Sequence, residues 1–329
     1  MNISLLEPIG ISEQEIEKLS KPLIDMGHNF TYYNTKTTDI NELIKRSKDQ
    51  DIVMIANNPY PKEVILQANK LKLIAVAFAG IDHVDLKACK ERNIEVLNCP
   101  NYSNVAVSEL VIGLTLNLLR KINEADLATR NCQTNASLIG EELENKTVGI
   151  IGLGKIGNKT ANLFNAFGCK VFGYQRSTIN NPNVTQVTID ELLAQSDIIS
   201  LHIPSNEETY HFIDEEKINK MKRNAILINC ARGAVVDNIA LAKALNEERI
   251  KGAGIDVFDY EPPLNADYSL LNAKNTILTP HVAYYTKEAM IKRANIEFSN
   301  VINYLKKQQK TKESPINLEP STFLIIWGD

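Results

Sequence analysis

The sequence predicts an α/β protein made of two doubly wound parallel sheets, and three observations carry that expectation. Short apolar runs alternate with amphipathic helical stretches from the first residues onward, and the alternation restarts near Thr147. The restart also carries a Gly-x-Gly-x-x-Gly motif between an apolar strand and a helix. Continuous apolar strands separated by helices indicate sheets covered on both faces. A chain of 329 residues is long enough for two such domains.

In chain order, Ile3–Leu6 reads as a strand, Glu13–Met26 as a helix, Phe30–Tyr33 as a strand and Ile40–Ser47 as a helix. Asp51–Ala56, Leu73–Ala77 and Ile94–Leu97 follow as strands, with helices at Lys62–Lys70 and Val84–Arg92 between them. From about Val105 to Arg130 the helical pattern runs on with one Gly and no Pro. That predicts a single helix of twice the usual length, suited to spanning two domains. Strands then recur at Thr147–Ile151, Lys170–Tyr174, Asp197–Leu201, Ala225–Asn229, Gly252–Val257 and Thr276–Leu278. A last helix, about Thr286–Lys307, is expected to return to the first domain. The domains are therefore placed at 1–100, completed by 285–329, and at 101–284. They look alike in pattern without a residue-level repeat, and the charged run Lys306–Glu313 reads as a solvated helix end.

Composition narrows the function. Lys and Arg number 36 against 40 Asp and Glu, a net charge of -4, which argues against a sequence-independent nucleic-acid binder. The longest apolar stretches, such as Leu73–Ile81, fall short of the roughly 20 residues of a membrane span. Neither a basic start nor a long apolar segment marks a secretory signal, so a cytoplasmic location is expected. The five cysteines (Cys89, Cys99, Cys132, Cys169 and Cys230) contain no C-x-x-C pair and leave no complete disulfide framework. Five histidines without paired spacing make a zinc site unexpected too.

The strongest local motif is Gly152-Leu-Gly154-Lys155-Ile156-Gly157. Three glycines recur by chance, but here they leave an apolar strand and open a helix, the context in which they bind a dinucleotide. Gly152 permits the tight turn, Gly154 lets a pyrophosphate approach the backbone, and Gly157 allows close helix–strand packing. An acid for the ribose hydroxyls of NAD is expected about 20 residues further on. No Asp or Glu occurs from Lys155 to Ile189. The second strand ends instead in Gln175-Arg176-Ser177, where an Arg and a hydroxyl suit a 2′-phosphate. NADP(H) is therefore expected over NAD(H), unless Arg176 merely points to solvent.

Three charged residues follow the ends of later strands. Arg232 lies in Asn229-Cys-Ala-Arg-Gly233, Glu261 in Asp259-Tyr-Glu-Pro-Pro263, and His281 in Thr279-Pro-His-Val-Ala283. Reducing a 2-keto acid needs a cation for the carboxylate and an acid for the carbonyl oxygen. Arg suits the first through its planar fork of donors, and His the second. A carboxylate beside a histidine favours its protonated form. Taken singly, Arg232 can be a strand-end cap, Glu261 a loop charge and His281 a structural histidine. Their joint occurrence in order beside the fingerprint argues otherwise. His28, His83, His202 and His211 lack such partners and are read as structural.

With these residues the chain resembles the D-isomer-specific 2-hydroxyacid dehydrogenases, of the glyoxylate and hydroxypyruvate reductase type. The match takes in Gly152-x-Gly154-x-x-Gly157, Ala231-Arg232-Gly233, Gly254-Ile-Asp-Val-Phe-Asp-Tyr-Glu261-Pro and Thr279-Pro-His281. It also includes Ala79-Gly80-Ile-Asp82-His-Val-Asp85, so it covers almost the whole chain. The resemblance implies a Rossmann cofactor domain and a flavodoxin-like substrate domain with a cleft between them. It implies that Arg232 anchors the substrate carboxylate, that His281 is the general acid/base and that Glu261 pairs with it. Backbone amides at Ala79 and Gly80 would bind the carboxylate from the other domain. Asp256 would meet the nicotinamide carboxamide, Cys230 would line the same pocket, and the molecule would be a homodimer built through the Val105–Arg130 helix.

Departures from the family pattern are Gln175-Arg176-Ser177, Tyr284-Tyr285 after the histidine motif, and the tail Glu319–Asp329. The two tyrosines either narrow the pocket or pack at a hinge, and Asn57-Asn58-Pro59 is a candidate substrate edge. The apolar run Phe323–Trp327 is expected to dock on its own chain or a partner. The leading expectation is an NADPH-dependent 2-keto acid reductase. Similar formate and phosphite dehydrogenases, and dinucleotide-sensing co-repressors sharing the fold, are the alternatives.

Overall fold

The computed structural model describes residues 1–313, with side chains to Lys310. The tail from Glu319, with Phe323–Trp327, lies outside the described residues. The chain forms two compact units, Met1–Tyr102 with the described chain from Thr286, and Ser103–Tyr285. No described helix is long and apolar enough to cross a membrane.

In the first unit β1 (Asn2–Leu5), β2 (Asn29–Tyr32), β3 (Ile52–Ile55), β4 (Leu73–Val76) and β5 (Glu95–Leu97) make an all-parallel sheet. Its order is β2-β1-β3-β4-β5, and α1 (Glu13–Asp25), α2 (Ile40–Ser47), α3 (Lys62–Gln67) and α4 (Leu86–Glu91) connect the strands. Strand alternation sends Ile52, Met54, Leu73 and Ala75 to one face and Val53, Ile55, Ile74 and Val76 to the other, all fully buried. Removing the larger of these side chains, such as Ile52 or Leu73, from water is worth about 1.5–3 kcal/mol. The closing helix Lys287–Glu313 covers the first face beside α1, adding Ala294, Phe298 and Val301 to its core.

The second unit begins with α5 (Asn104–Arg120) and α6 (Ile122–Arg130). These replace the single helix expected over Val105–Arg130. Lys121 lies at φ 51°, ψ 46°, in the left-handed region, and its amide bonds the Asn117 carbonyl. The Asn117 side chain then accepts from the Asn123 amide at 3.2 Å and donates to Asn123 Oδ1 at 3.0 Å, starting a new helix. Polar side chains here supply what the interrupted backbone ladder leaves unmade. Both helices belong wholly to the second unit.

The second sheet contains β6 (Thr147–Ile151), β7 (Lys170–Tyr174), β8 (Thr185–Gln186), β9 (Ile198–Leu201), β10 (Ile226–Asn229), β11 (Gly252–Ile255) and β12 (Thr276–Leu278). All strands run parallel in the order β12-β11-β10-β9-β6-β7-β8. β8 carries no signal in the sequence, because two exposed residues show no alternation. Helices α7 (Lys155–Ala166), α8 (Ile189–Gln195), α9 (Glu215–Lys220) and α10 (Asn238–Asn246) complete the unit. Thr188, Asp214 and Asp237 cap α8, α9 and α10 with their side chains, whereas α7 starts at Gly154 with no side-chain cap.

Both sheets carry the same carboxylate clamp at the amino ends of their central strands. Asp51, preceding β3, accepts from the Asn2 amide at 2.9 Å and from Lys72 Nζ at 2.8 Å. Asp197, preceding β9, accepts from the Thr147 amide at 2.9 Å and from Lys222 Nζ at 2.9 Å. β3 pairs with β1 as β9 pairs with β6, so the two aspartates hold equivalent places.

Candidate active site

The turn after β6 is built from glycines for reasons the geometry makes explicit. Gly152 has φ +90°, and a Cβ there would lie 2.6 Å from the His202 carbonyl oxygen. A Cβ on Gly157 would meet the Gly152 carbonyl oxygen at 2.0 Å, so α7 can lie on the turn only with glycine there. Gly154 is different, since nothing lies within 4 Å of its Cβ position. That open space lies at the uncapped start of α7, whose first amides, from Lys155, Ile156 and Gly157, are those an anion would meet. These features fit a dinucleotide pyrophosphate.

At the end of β7 the Gln175 side chain folds back onto this turn, its Oε1 accepting from the Leu153 amide at 3.3 Å. Its Nε2 donates to the Thr178 carbonyl at 3.1 Å. Arg176 and Ser177 are exposed. Arg176 pairs at 2.5 Å with Glu208, which no sequence motif marks.

Arg232, Glu261 and His281 follow three neighbouring strands, β10, β11 and β12, whose last positions Asn229, Ile255 and Leu278 stand in register. Fully buried Asn229 shapes the β10 turn: its Oδ1 accepts from the Ala231 amide and its Nδ2 donates to the Arg232 carbonyl, both at 3.0 Å. Half-buried Arg232 is followed by Gly233, where a Cβ would lie 1.8 Å from the Phe258 carbonyl oxygen. The loop after β11 therefore runs directly against the Arg232 turn. That loop is anchored by Asp259, which accepts from Asn238 Nδ2 at 2.9 Å and Tyr268 OH at 2.7 Å. It presents Glu261, and His281 Nδ1 meets the two Glu261 oxygens at 2.8 and 2.9 Å.

His281 has φ 54°, an uncommon conformation for a residue with a side chain. Asp256 holds it there. The Asp256 carbonyl accepts the His281 amide at 2.8 Å. Its carboxylate accepts from Thr279 Oγ1 at 2.6 Å and from the Val282 and Ala283 amides at 2.9 Å. Burial raises the Asp256 carboxyl above its ordinary value against these donors, and the residue has no exposed surface. Asp256 thus supports the histidine loop. Cys230 is likewise packed into the core, and burial pushes its thiol well up. The Tyr284 ring meets His281 edge-on at 5.3 Å, while Tyr285 is exposed.

The first unit places Ala79 and Gly80 after β4, where Ala79 accepts from Asn98 Nδ2 at 2.8 Å. Among the described residues no acceptor meets either of their amides. Asn58 is fully buried, whereas Asn57 receives Lys36 Nζ at 2.8 Å. Buried Glu7, unnoticed in the sequence, accepts from the Ala56 and Asn58 amides at 2.8 Å and shapes that loop. Of the remaining histidines, His202 bonds Ser200 at 2.9 Å and burial lowers it to about 4. Burial also lowers His83 and His28, and His211 stacks on Tyr210.

An anion-ready helix start and an imidazole oriented by a carboxylate, carried on one sheet edge, are the requirements of hydride chemistry at a carbon bearing oxygen. The class is that of dinucleotide-dependent oxidoreductases. Residues 112–283 match the family model described as D-isomer specific 2-hydroxyacid dehydrogenase, NAD binding domain. The chain is 40% identical over 276 residues to a glyoxylate reductase of Thermofilum pendens, covering 80% of this chain and 81% of that one. It is 34% identical over 310 residues to a hydroxypyruvate reductase of Blautia hydrogenotrophica, covering 91% and 94%. Among solved structures it is similar to an acyclic imino acid reductase in complex with NADPH and D-Arg, with TM-score 0.84, 34% identity and coverage of 93% and 98%. The chain belongs to the D-isomer specific 2-hydroxyacid dehydrogenase family and is an NAD(P)-dependent enzyme acting on small 2-keto and 2-hydroxy acids.

Proposed function

We propose that this enzyme reduces glyoxylate or hydroxypyruvate to the 2-hydroxy acid, of D configuration where the product is chiral, and takes NADPH in preference to NADH. The observation that carries the reading is the His281 Nδ1 contact with Glu261 at 2.8 Å, on strand ends adjoining the Arg232 turn. Arg232 binds the substrate carboxylate through its fork of donors. Glu261 accepts from Nδ1, which leaves Nε2 of His281 to give its proton to the carbonyl oxygen as negative charge develops there. A bound nicotinamide supplies the hydride. Ala79 and Gly80 are further proposed carboxylate donors, supported by their unengaged amides. The second unit is the proposed cofactor domain and the first the substrate domain.

The names of the similar reductases support the substrate, and the missing acid after β7 supports the phosphate-bearing cofactor. Asp256 and Cys230, next after the paired strand ends Ile255 and Asn229, are further proposed to border the nicotinamide. A homodimer is also proposed: α6 has no buried residue, and Ile122 and Leu127 on it are 50% and 62% exposed. The test is initial rates of NADPH and NADH oxidation with both keto acids. Turnover favouring NADPH supports the reaction and the cofactor preference, and turnover favouring NADH keeps the reaction while removing the preference. No oxidation of either cofactor overturns it.

A further inference from the structure

We infer that Glu208 sets the balance between NADPH and NADH, by competing with a 2′-phosphate for the Arg176 guanidinium, an inference that rests on the Gly152–Gly157 turn being the cofactor site. The strand end where an acid normally stands carries Gln175, a neutral amide tied to the Leu153 amide and the Thr178 carbonyl. It neither repels a phosphate nor supplies a charge to the ribose. The next residue brings a cation, yet Arg176 is engaged: its Nη1 lies 2.5 Å from Glu208 Oε2.

Glu208 reaches it from the loop after β9, whereas Arg176 follows β7, and β6 lies between those two strands. The pair therefore spans the carboxyl end of β6, where the glycine turn begins. An acid missing from one flank of the turn is supplied from the other. Its backbone is fixed as well, since Asn206 Oδ1 accepts from the Glu208 and Thr209 amides at 3.0 and 3.1 Å. Thr209 Oγ1 further donates to the Pro204 carbonyl at 2.7 Å.

The side chains of Arg176 and Glu208 are 79% and 70% exposed, and an exposed ion pair is weak. A phosphate, with greater charge and three acceptor oxygens, displaces such a partner. Glu208 is thus a moderator of phosphate binding rather than a block, and its carboxylate offers the ribose hydroxyls of NADH the acceptor that β7 lacks.

The test is calorimetric titration of the full chain with 2′,5′-ADP and with 5′-ADP, comparing wild type, Glu208→Gln, Glu208→Ala and Arg176→Ala. Both Glu208 variants are expected to raise the affinity ratio of 2′,5′-ADP to 5′-ADP by about 1.5- to fivefold. Arg176→Ala is expected to lower that ratio by about tenfold or more. A ratio unchanged or lowered in the Glu208 variants, with both nucleotides still binding, overturns the role of Glu208 alone. A wild-type protein that binds neither nucleotide overturns the cofactor-site reading and this inference with it.

Discussion

Glu261 holds one nitrogen of His281 and Asp256 holds the backbone around it, so the two carboxylates do different work on one residue. His281→Ala should lower kcat by about 100- to 10,000-fold while changing dinucleotide affinity less than about twofold. Steady-state rates and a binding titration on the same preparation check this, and lost dinucleotide binding would show the role misassigned. Asp256→Asn retains the size but replaces one acceptor oxygen with a donor facing the Thr279–Ala283 loop. It should cost about 1–3 kcal/mol of stability together with a fall in kcat. Denaturant unfolding beside activity tests the coupling, and unchanged stability would remove Asp256 from the support of the loop. The charged residues of this site were legible because their chemistry and order are distinctive. Glu208 was not, because it meets Arg176 from 32 residues away, from a loop that sequence cannot place beside it. Asn229 and Asp256 were visible as letters of motifs, but burial and backbone bonding alone reveal what they hold.

The breaks and joints of the elements follow from single backbone positions. Lys121 divides α5 from α6 in the left-handed region, where a side chain is disfavoured by roughly 1–2 kcal/mol. Lys121→Gly should therefore be tolerated within about 1 kcal/mol, whereas Lys121→Val should destabilise by about 1–2 kcal/mol. In a continuous helix the order reverses, because glycine is the poorer helix former. Chemical unfolding of both variants distinguishes the two structures. Gly157→Ala has no such latitude, since the added carbon lands 2.0 Å from a backbone oxygen. It should destabilise by about 1–3 kcal/mol or more. A melting temperature equal to wild type would mean that α7 does not lie on the turn as described. Strand positions were readable because apolar runs of four or five residues recur between helices. Lysine carries no breaker signal, and two-residue β8 carries no period, so those two features were not.

Across the molecule, the clamps at Asp51 and Asp197 hold one equivalent place in each sheet, which only the pairing of strands aligns. Burial pulls each carboxyl upward, but lysine and backbone amide donors prevail and hold both below the ordinary 3.8. Stability from these clamps is present above that value and is lost as pH falls through the lowered folded values. Replacing both with Asn should flatten the decline in unfolding midpoint below about pH 4. An unaltered acid slope in the double variant would exclude them as a source of it. The first unit has a further peculiarity, in the order in which it is made. Its sheet is complete once Leu97 has been synthesised, yet Ala294, Phe298 and Val301, which cover one face of it, come only after Ser103–Tyr285. At ordinary rates of synthesis that interval lasts roughly 10–40 s. Throughout it, Ile52, Met54, Leu73 and Ala75 lack part of their apolar cover, so the nascent chain passes through a stage in which the unit begun first is finished last.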